Sequence, residues 1–300
     1  MVQAGTSESD PSFRAALRVR EFRMVWLAQV QSSAGDQLAR LAIVLLVFSR
    51  TGSAAISAFS YGLTFLPALA GGVFLSGLAD RYPRRRVMVS CDLTRLVLLL
   101  TLASARWSTP MLDLLLVLLV LAGAPFSAAS TSVLPDVLPA RNYVAGVSLG
   151  TVSGQVAQLF GFAAGGACVG LLGVRNTFVL DAATFAVSAT LIRYGLTHRP
   201  APAGAPEAGA GSYLGRLAVG VRVVCQDRLL RWLLALAWLP VFFIAPEAIA
   251  PAYAHSLGGG AAAAGLLMAA MPAGTALGAW TYARRGSDEQ RARAVPYLAG

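Results

Sequence analysis

Residues 71–86 read GGVFLSGLADRYPRRR, with long apolar runs on both sides. One acid, Asp80, precedes four arginines, Arg81, Arg84, Arg85 and Arg86. Between Arg81 and Arg84 stands Pro83, which lacks a backbone N–H and favours a turn. A short basic turn between apolar runs of about 20 residues joins two membrane-spanning helices on the side that retains positive charge.

Composition extends this reading to the whole chain. Of 300 residues, 56% are hydrophobic and 13% charged, with mean hydropathy +0.64, far more apolar than a soluble domain of this size. The net charge of +10 does not point to nucleic acid, because the basic residues are scattered between apolar runs rather than gathered on one solvated face. All 24 are arginine, which reflects compositional bias before chemistry. Cys91, Cys168 and Cys225 show no CxxC spacing, so neither a disulfide framework nor a metal site is indicated. The polar N-terminus, MVQAGTSESDPSFRAALRVREF, lacks the apolar core of a signal peptide.

Eight apolar runs are long enough to cross a bilayer as helices: 24–48, 54–79, 87–106, 110–133, 146–172, 176–195, 229–252 and 260–283. A ninth begins at AVPYLAG, the last seven residues. Barrel strands would alternate over about 10 residues instead. The expected fold is therefore an all-α polytopic membrane protein. With the N-terminus inside, only Arg50, Arg106 and Arg175 face outward and Arg40 and Arg95 lie within spans, so the other 19 arginines fall on the cytoplasmic side. That asymmetry predicts the orientation.

The segment HRPAPAGAPEAGAGS reads as a flexible linker, too rich in Pro, Ala and Gly to pack a core. YLGRLAVGVRVVCQDRLLR, which follows, spaces Leu217, Val221, Val224 and Leu229 as a helix lying on the inner membrane surface would. The expected domains are a cytoplasmic segment (1–23), a six-helix bundle (24–195), a linker with a surface helix (196–228) and a partial second bundle (229–300). Two bundles joined by a linker is a plan many secondary transporters share.

The opening stretch also carries a resemblance. SGLADRYPRRR resembles the signature loop of the major facilitator superfamily, a glycine, three residues, Asp-Arg, one residue, glycine and two basic residues. Asp80, Arg81, Arg84 and Arg85 match, while Ser76 and Pro83 stand at the two glycine positions. Further pieces resemble the drug-exporter branch that includes enterobactin and macrolide exporters: FRMVWLAQVQSSAGDQLARLAIVLLVFSRTGSA, SVLPDVLPARNYVAGVSL and NTFVLDAATFAVSA. GFAAGGACVG, with Gly161, Gly165 and Gly166, resembles that branch's span-five motif, with Phe162 in place of a proline. The resemblance implies a major facilitator fold of twelve spans, of which the last three and most of a fourth are missing from these 300 residues. It also implies that Asp80 locks the cytoplasmic ends of the two bundles; the plainer alternative is that it balances Arg81 and Arg84.

Ionisable residues within spans are functional candidates because inserting them costs several kcal/mol. Asp36 lies roughly 18 Å into span one at 1.5 Å per residue, and Arg40 at i+4 shares its face. The pair is either a structural ion pair or a proton-exchanging acid with its modulator. Asp92 and Arg95 repeat the idea at i+3, nearer the cytoplasm, where bracing the opening loop is the favoured role. Asp181 reads as structural, near the outer end of span six. Glu247, between Pro246 and Pro251, is either a cavity acid or an outer-end cap. Trp26, Phe65, Phe126 and Phe160 could line a cavity, with lipid-facing positions as the alternative. Gly146, Gly150 and Gly154 recur at a spacing that lets helices approach closely.

Enzyme motifs are weak. GVSLG matches the G-x-S-x-G pattern but opens a membrane helix rather than a strand–turn–helix. A lysine-free chain cannot hold a Walker phosphate loop, and HExxH does not occur. The expected protein is not an enzyme and needs no cofactor or metal. It is a monomeric, proton-driven exporter of small amphipathic molecules in the cell membrane, whose partners are substrate, protons and lipid, with no nucleic acid. A facilitator or importer of the same fold, or a truncated non-transporting membrane protein, is the alternative.

Overall fold

The computed structural model describes residues 13–75, 77–104, 106–200, 222, 225–232 and 244–284. Most of the expected linker, residues 233–243 of span seven and the ninth apolar run lie outside the described residues, as does the Asp80 side chain. The described chain is helical, with the helices α1 (Phe13–Arg18), α2 (Arg20–Thr51), α3 (Ala54–Gly62), α4 (Phe65–Phe74) and α5 (Leu78–Arg81) in its first part. There follow α6 (Arg84–Ser104), α7 (Thr109–Val137), α8 (Ala140–Gly195), α9 (Ile244–Ser256) and α10 (Ala261–Arg284). The protein is an all-α, polytopic membrane protein. Five of its described helices are long and apolar enough to cross a membrane.

Local chemistry sets the boundaries. α2 ends at Gly52, whose φ of 62° suits a left-handed cap. Ser53 then caps α3 by accepting a hydrogen bond from the Ile56 N–H at 3.3 Å. Span two is interrupted between Gly62 and Phe65 because Pro67 has no N–H for the Leu63 carbonyl one turn earlier. It breaks again between α4 and α5, just before the basic turn. The long α8 is two spans, joined where Gly173 adopts φ 78°, ψ 162°. Its limbs are antiparallel, for Gly146 abuts Phe22 and Gly195 abuts Met24, neighbours at one end of α2.

Two apolar layers pack α2, α6, α7 and α8 together. One, at the end far from the basic turn, joins Ile43 and Val47 of α2, Leu99 and Leu102 of α6, Leu112 and Leu116 of α7, and Phe178 and Phe185 of α8. The other joins Val25, Ala28, Met88, Cys91, Phe126, Val133 and Ile192 at the arginine-rich end. Between them lies a layer of buried polar groups. A third cluster brings Leu41, Val44, Tyr61 and Phe162 against Ala250 of α9 and Met268 and Ala269 of α10.

Spans five and eight cross closely at one level. A Cβ on Gly166 would lie 2.6 Å from the Ala261 carbonyl oxygen and 2.9 Å from the Gly265 Cα. Gly161 and Gly165 face α2 instead, against Ala34 and Leu38. The exporter-like glycines thus serve two separate contacts. Towards the arginine-rich end, Gly150, Gly154 and Gly274 have open space where a Cβ would stand.

Candidate functional site

Arg95 is the centre of the buried polar layer. Its residue is 1% exposed, and its guanidinium lies 5.3 Å from the Phe126 ring centroid and 5.1 Å from that of Phe185. Such contacts offset part of the cost of a buried cation. Nη1 donates to Ser32 Oγ at 2.6 Å, while Asp36 and Asp92 stand 3.5 and 3.9 Å from the guanidinium. Asp92 is held from its other side by the Ser188 hydroxyl at 2.6 Å. The guanidinium reaches this place because Gly123 of α7 has no side chain: a Cβ there would meet Nη2 at 2.5 Å.

Asp181 joins the same layer. It is fully buried and faces Gly35, where a Cβ would collide with its Oδ1. Thr184 donates to Oδ1 at 3.2 Å, and Oδ2 has no hydrogen-bond partner among the described residues. Ser32, Asp36, Asp92, Arg95, Asp181 and Ser188 thus connect spans one, three and six.

Three expectations need correction. The Asp36–Arg40 pair does not form: Asp36 is bridged by Arg95, while Arg40 sits 5.9 Å from the Tyr61 ring centroid. One turn of helix separates the two residues in depth, and the Gly123 gap lets span three supply the nearer cation. Asp92 and Arg95 do not brace the opening loop; they are buried in the middle of the bundle. Asp181 is not at the outer end of span six, since it opposes Gly35 at the midpoint of α2.

Glu247 is neither a cap nor a lining residue of the described cavity. It is 8% exposed and accepts a hydrogen bond from the Tyr61 hydroxyl, which ties α9 to α3. Nearby, the Phe48 and His255 rings meet edge to face at 5.6 Å. Replacing Tyr61 with Phe leaves a buried carboxyl without this donor and is expected to cost about 1–3 kcal/mol. Glu247→Gln, which keeps an acceptor for the hydroxyl, is expected to cost less. Thermal unfolding midpoints of the two purified variants check this order.

A cavity of about 460 Å³ opens beside the network. Asp36, Arg40 and Arg95 form its polar wall; Ala68, Gly72, Leu116, Leu119, Val120, Gly123, Ala124, Ser127 and Ala128 form the rest. Such a mostly apolar space with a few convergent charges is typical of small-molecule sites. The Asp36 side chain is 32% exposed, against 2% for Arg95 and 0% for Asp92, so Asp36 is the more exposed of the two carboxylates paired with Arg95. The four aromatic candidates do not line this cavity. Phe126 is buried beneath Arg95, Phe65 packs on Tyr61, Trp26 donates to Ser153 at 3.0 Å and Phe160 is exposed.

At the basic turn, Arg84 pairs with Asp136 at the end of α7, and Arg85 donates to the Arg193 carbonyl at the end of α8. Arg81 is exposed. The described contacts of these arginines knit spans three, four and six together. Sequence reasoning passed over Ser32, Tyr61, Ser188 and Asp136. Ser32 could have been found, since it lies four residues before Asp36 on the same helix face. Tyr61 and Ser188 carry no such mark.

Comparison with known proteins agrees with this architecture. The family model described as Major Facilitator Superfamily matches residues 25–299. The chain is 24% identical over 179 residues to the uncharacterized MFS-type transporter YkuC of Bacillus subtilis, covering 58% of this chain and 41% of that protein. It is 30% identical over 73 residues to macrolide efflux protein A of Streptococcus pyogenes, covering 24% of this chain and 18% of that protein. The chain thus spans well under half the length of these relatives in the matched regions. The match along 25–299, on a chain of long apolar helices, places the protein in the Major Facilitator Superfamily.

Proposed function

We propose that the protein is a proton-coupled exporter of small amphipathic molecules in the cell membrane, acting as a monomer with its N-terminus in the cytoplasm. The observation that carries this reading is Asp36, an acid exposed to the cavity and paired at 3.5 Å with a buried arginine. Asp36, Asp92, Asp181 and Glu247 are four buried or half-buried carboxyl groups, accompanied by two guanidinium groups, Arg40 and Arg95. Charge balance in a low-dielectric layer then leaves room for two protons. A cationic substrate group entering the cavity would compete with a proton for the Asp36 carboxylate, so that substrate binding and proton release are coupled.

Alternating access supplies the transport step. Spans five and eight touch at Gly166 and Gly265, a close crossing between the first bundle and α10. The Tyr61–Glu247 bond ties α3 to α9. The likeness to a macrolide efflux protein supports export and an amphipathic cargo. The glycines Gly161 and Gly165 hold span five to span one, while Gly166 gives the crossing at which the second bundle rocks. Asp80, Arg81, Arg84 and Arg85 would steady the cytoplasmic end during that motion.

The test is accumulation of a fluorescent amphipathic dye in cells expressing the protein, with and without an uncoupler. The expected result is uncoupler-sensitive exclusion of dye, abolished by Asp36→Asn at unchanged surface expression. Dye that merely equilibrates, with or without the uncoupler, would assign a facilitator; exclusion that survives the uncoupler, or full activity of Asp36→Asn, would remove the proposed proton role.

A further inference from the structure

A second cavity, of about 440 Å³, lies at the arginine-rich end between the start of α6 and the end of α8. Its polar wall is Arg85, Arg86, Ser90, Arg193 and His198, and no acid lines it. The described carboxylates nearby are already engaged: Glu21 by Thr197 and Arg199, Asp136 by Arg84. Three guanidinium groups around one cavity repel one another unless an anion sits among them. Arginine forks are suited to binding phosphate oxygens in pairs.

The cavity floor is apolar and continues into the lipid-facing surface. Val89 and Leu93 form its deeper wall. Leu93, Val97 and Leu100, spaced along one face of α6, are 48%, 59% and 44% exposed. Tyr194, 78% exposed, stands beside Arg193 at the end of α8, at the level where aromatic rings border membranes. A basic cavity that opens directly onto an apolar strip matches one kind of ligand, a phosphate headgroup carrying acyl chains.

From this juxtaposition we infer that the cavity binds an anionic phospholipid, its phosphate among Arg85, Arg86 and Arg193 and one acyl chain along Leu93, Val97 and Leu100. The chain's own following segment is a poor occupant: residues 201–221 contain one acid, Glu207, and add Arg216. Lipid here would clamp span three to span six, the two spans that hold Asp92, Arg95 and Asp181. The site is separate from the Asp36 cavity and does not depend on what that cavity transports.

The experiment uses the purified full chain in neutral detergent. Phosphatidylglycerol, phosphatidylcholine and inorganic phosphate are each titrated, and bound lipid is read by native mass spectrometry alongside the thermal midpoint. Phosphatidylglycerol is expected to bind and raise the midpoint, whereas the other two do neither. The double variant Arg86→Gln/Arg193→Gln, at exposed positions that tolerate substitution, should weaken binding about thirtyfold, fivefold or so per arginine. Arg175→Gln, exposed in the turn between the limbs of α8, should bind as the parent does. Equal binding of phosphatidylcholine, equal response to inorganic phosphate, or undiminished binding by the double variant would each overturn the inference.

Discussion

Replacing Arg95 with Gln is expected to destabilise the protein by about 3–5 kcal/mol, because it leaves Asp36 and Asp92 without their buried counter-charge. The loss should appear as a sharply lower thermal midpoint and poor recovery from the membrane. Lysine at this position keeps the charge but not the fork that reaches Ser32 and both carboxylates, so Arg95→Lys should fold better than Arg95→Gln while transporting little. The double variant Arg95→Gln/Asp92→Asn removes opposite charges together and should recover much of the stability without recovering transport. A single Arg95→Gln protein as stable as the parent would show that the ion pairs are incidental to folding.

The second large effect is expected at the crossing of spans five and eight. Valine at position 166 would drive its side chain into the Ala261 carbonyl and the Gly265 Cα, and backbone atoms cannot step aside as a flexible side chain would. Overpacking of this kind costs about 1–3 kcal/mol. Here it should also spread the two spans apart and abolish dye exclusion even where expression survives. Gly154→Ala, on the same limb but with open space around it, should be neutral or slightly stabilising, since alanine favours helix. Transport and thermal midpoint measured on both variants give the comparison; equal behaviour would mean the crossing is not a tight contact.

The two predictions differ in how far the sequence foresaw them. Gly161, Gly165 and Gly166 were visible as a small-residue motif, and their role as close contacts follows from the absence of side chains. Their division between two partners was not visible, because neighbouring glycines on one helix point in directions about 100° apart. Arg95 was visible as a buried cation with Asp92 at i−3. Its bond to Asp36 was hidden, since the nearer cation in sequence, Arg40, is drawn to Tyr61 instead. Glu247 stood out as an acid between prolines, but its partner is Tyr61, 186 residues away.

By itself the sequence determined the solvent, the all-helical fold class and the family. Long apolar runs leave only helices as a way to satisfy the backbone in lipid, and the basic turn at Arg81–Arg86 marks one membrane face. Only the tertiary structure decided which faces of those helices meet. The reason is physical: lipid is as apolar as a protein interior, so hydropathy does not distinguish a buried face from a lipid-facing one. Depth and rotation, set by gaps such as Gly123 and crossings such as Gly166 on Gly265, chose Arg95 over Arg40 as the partner of Asp36.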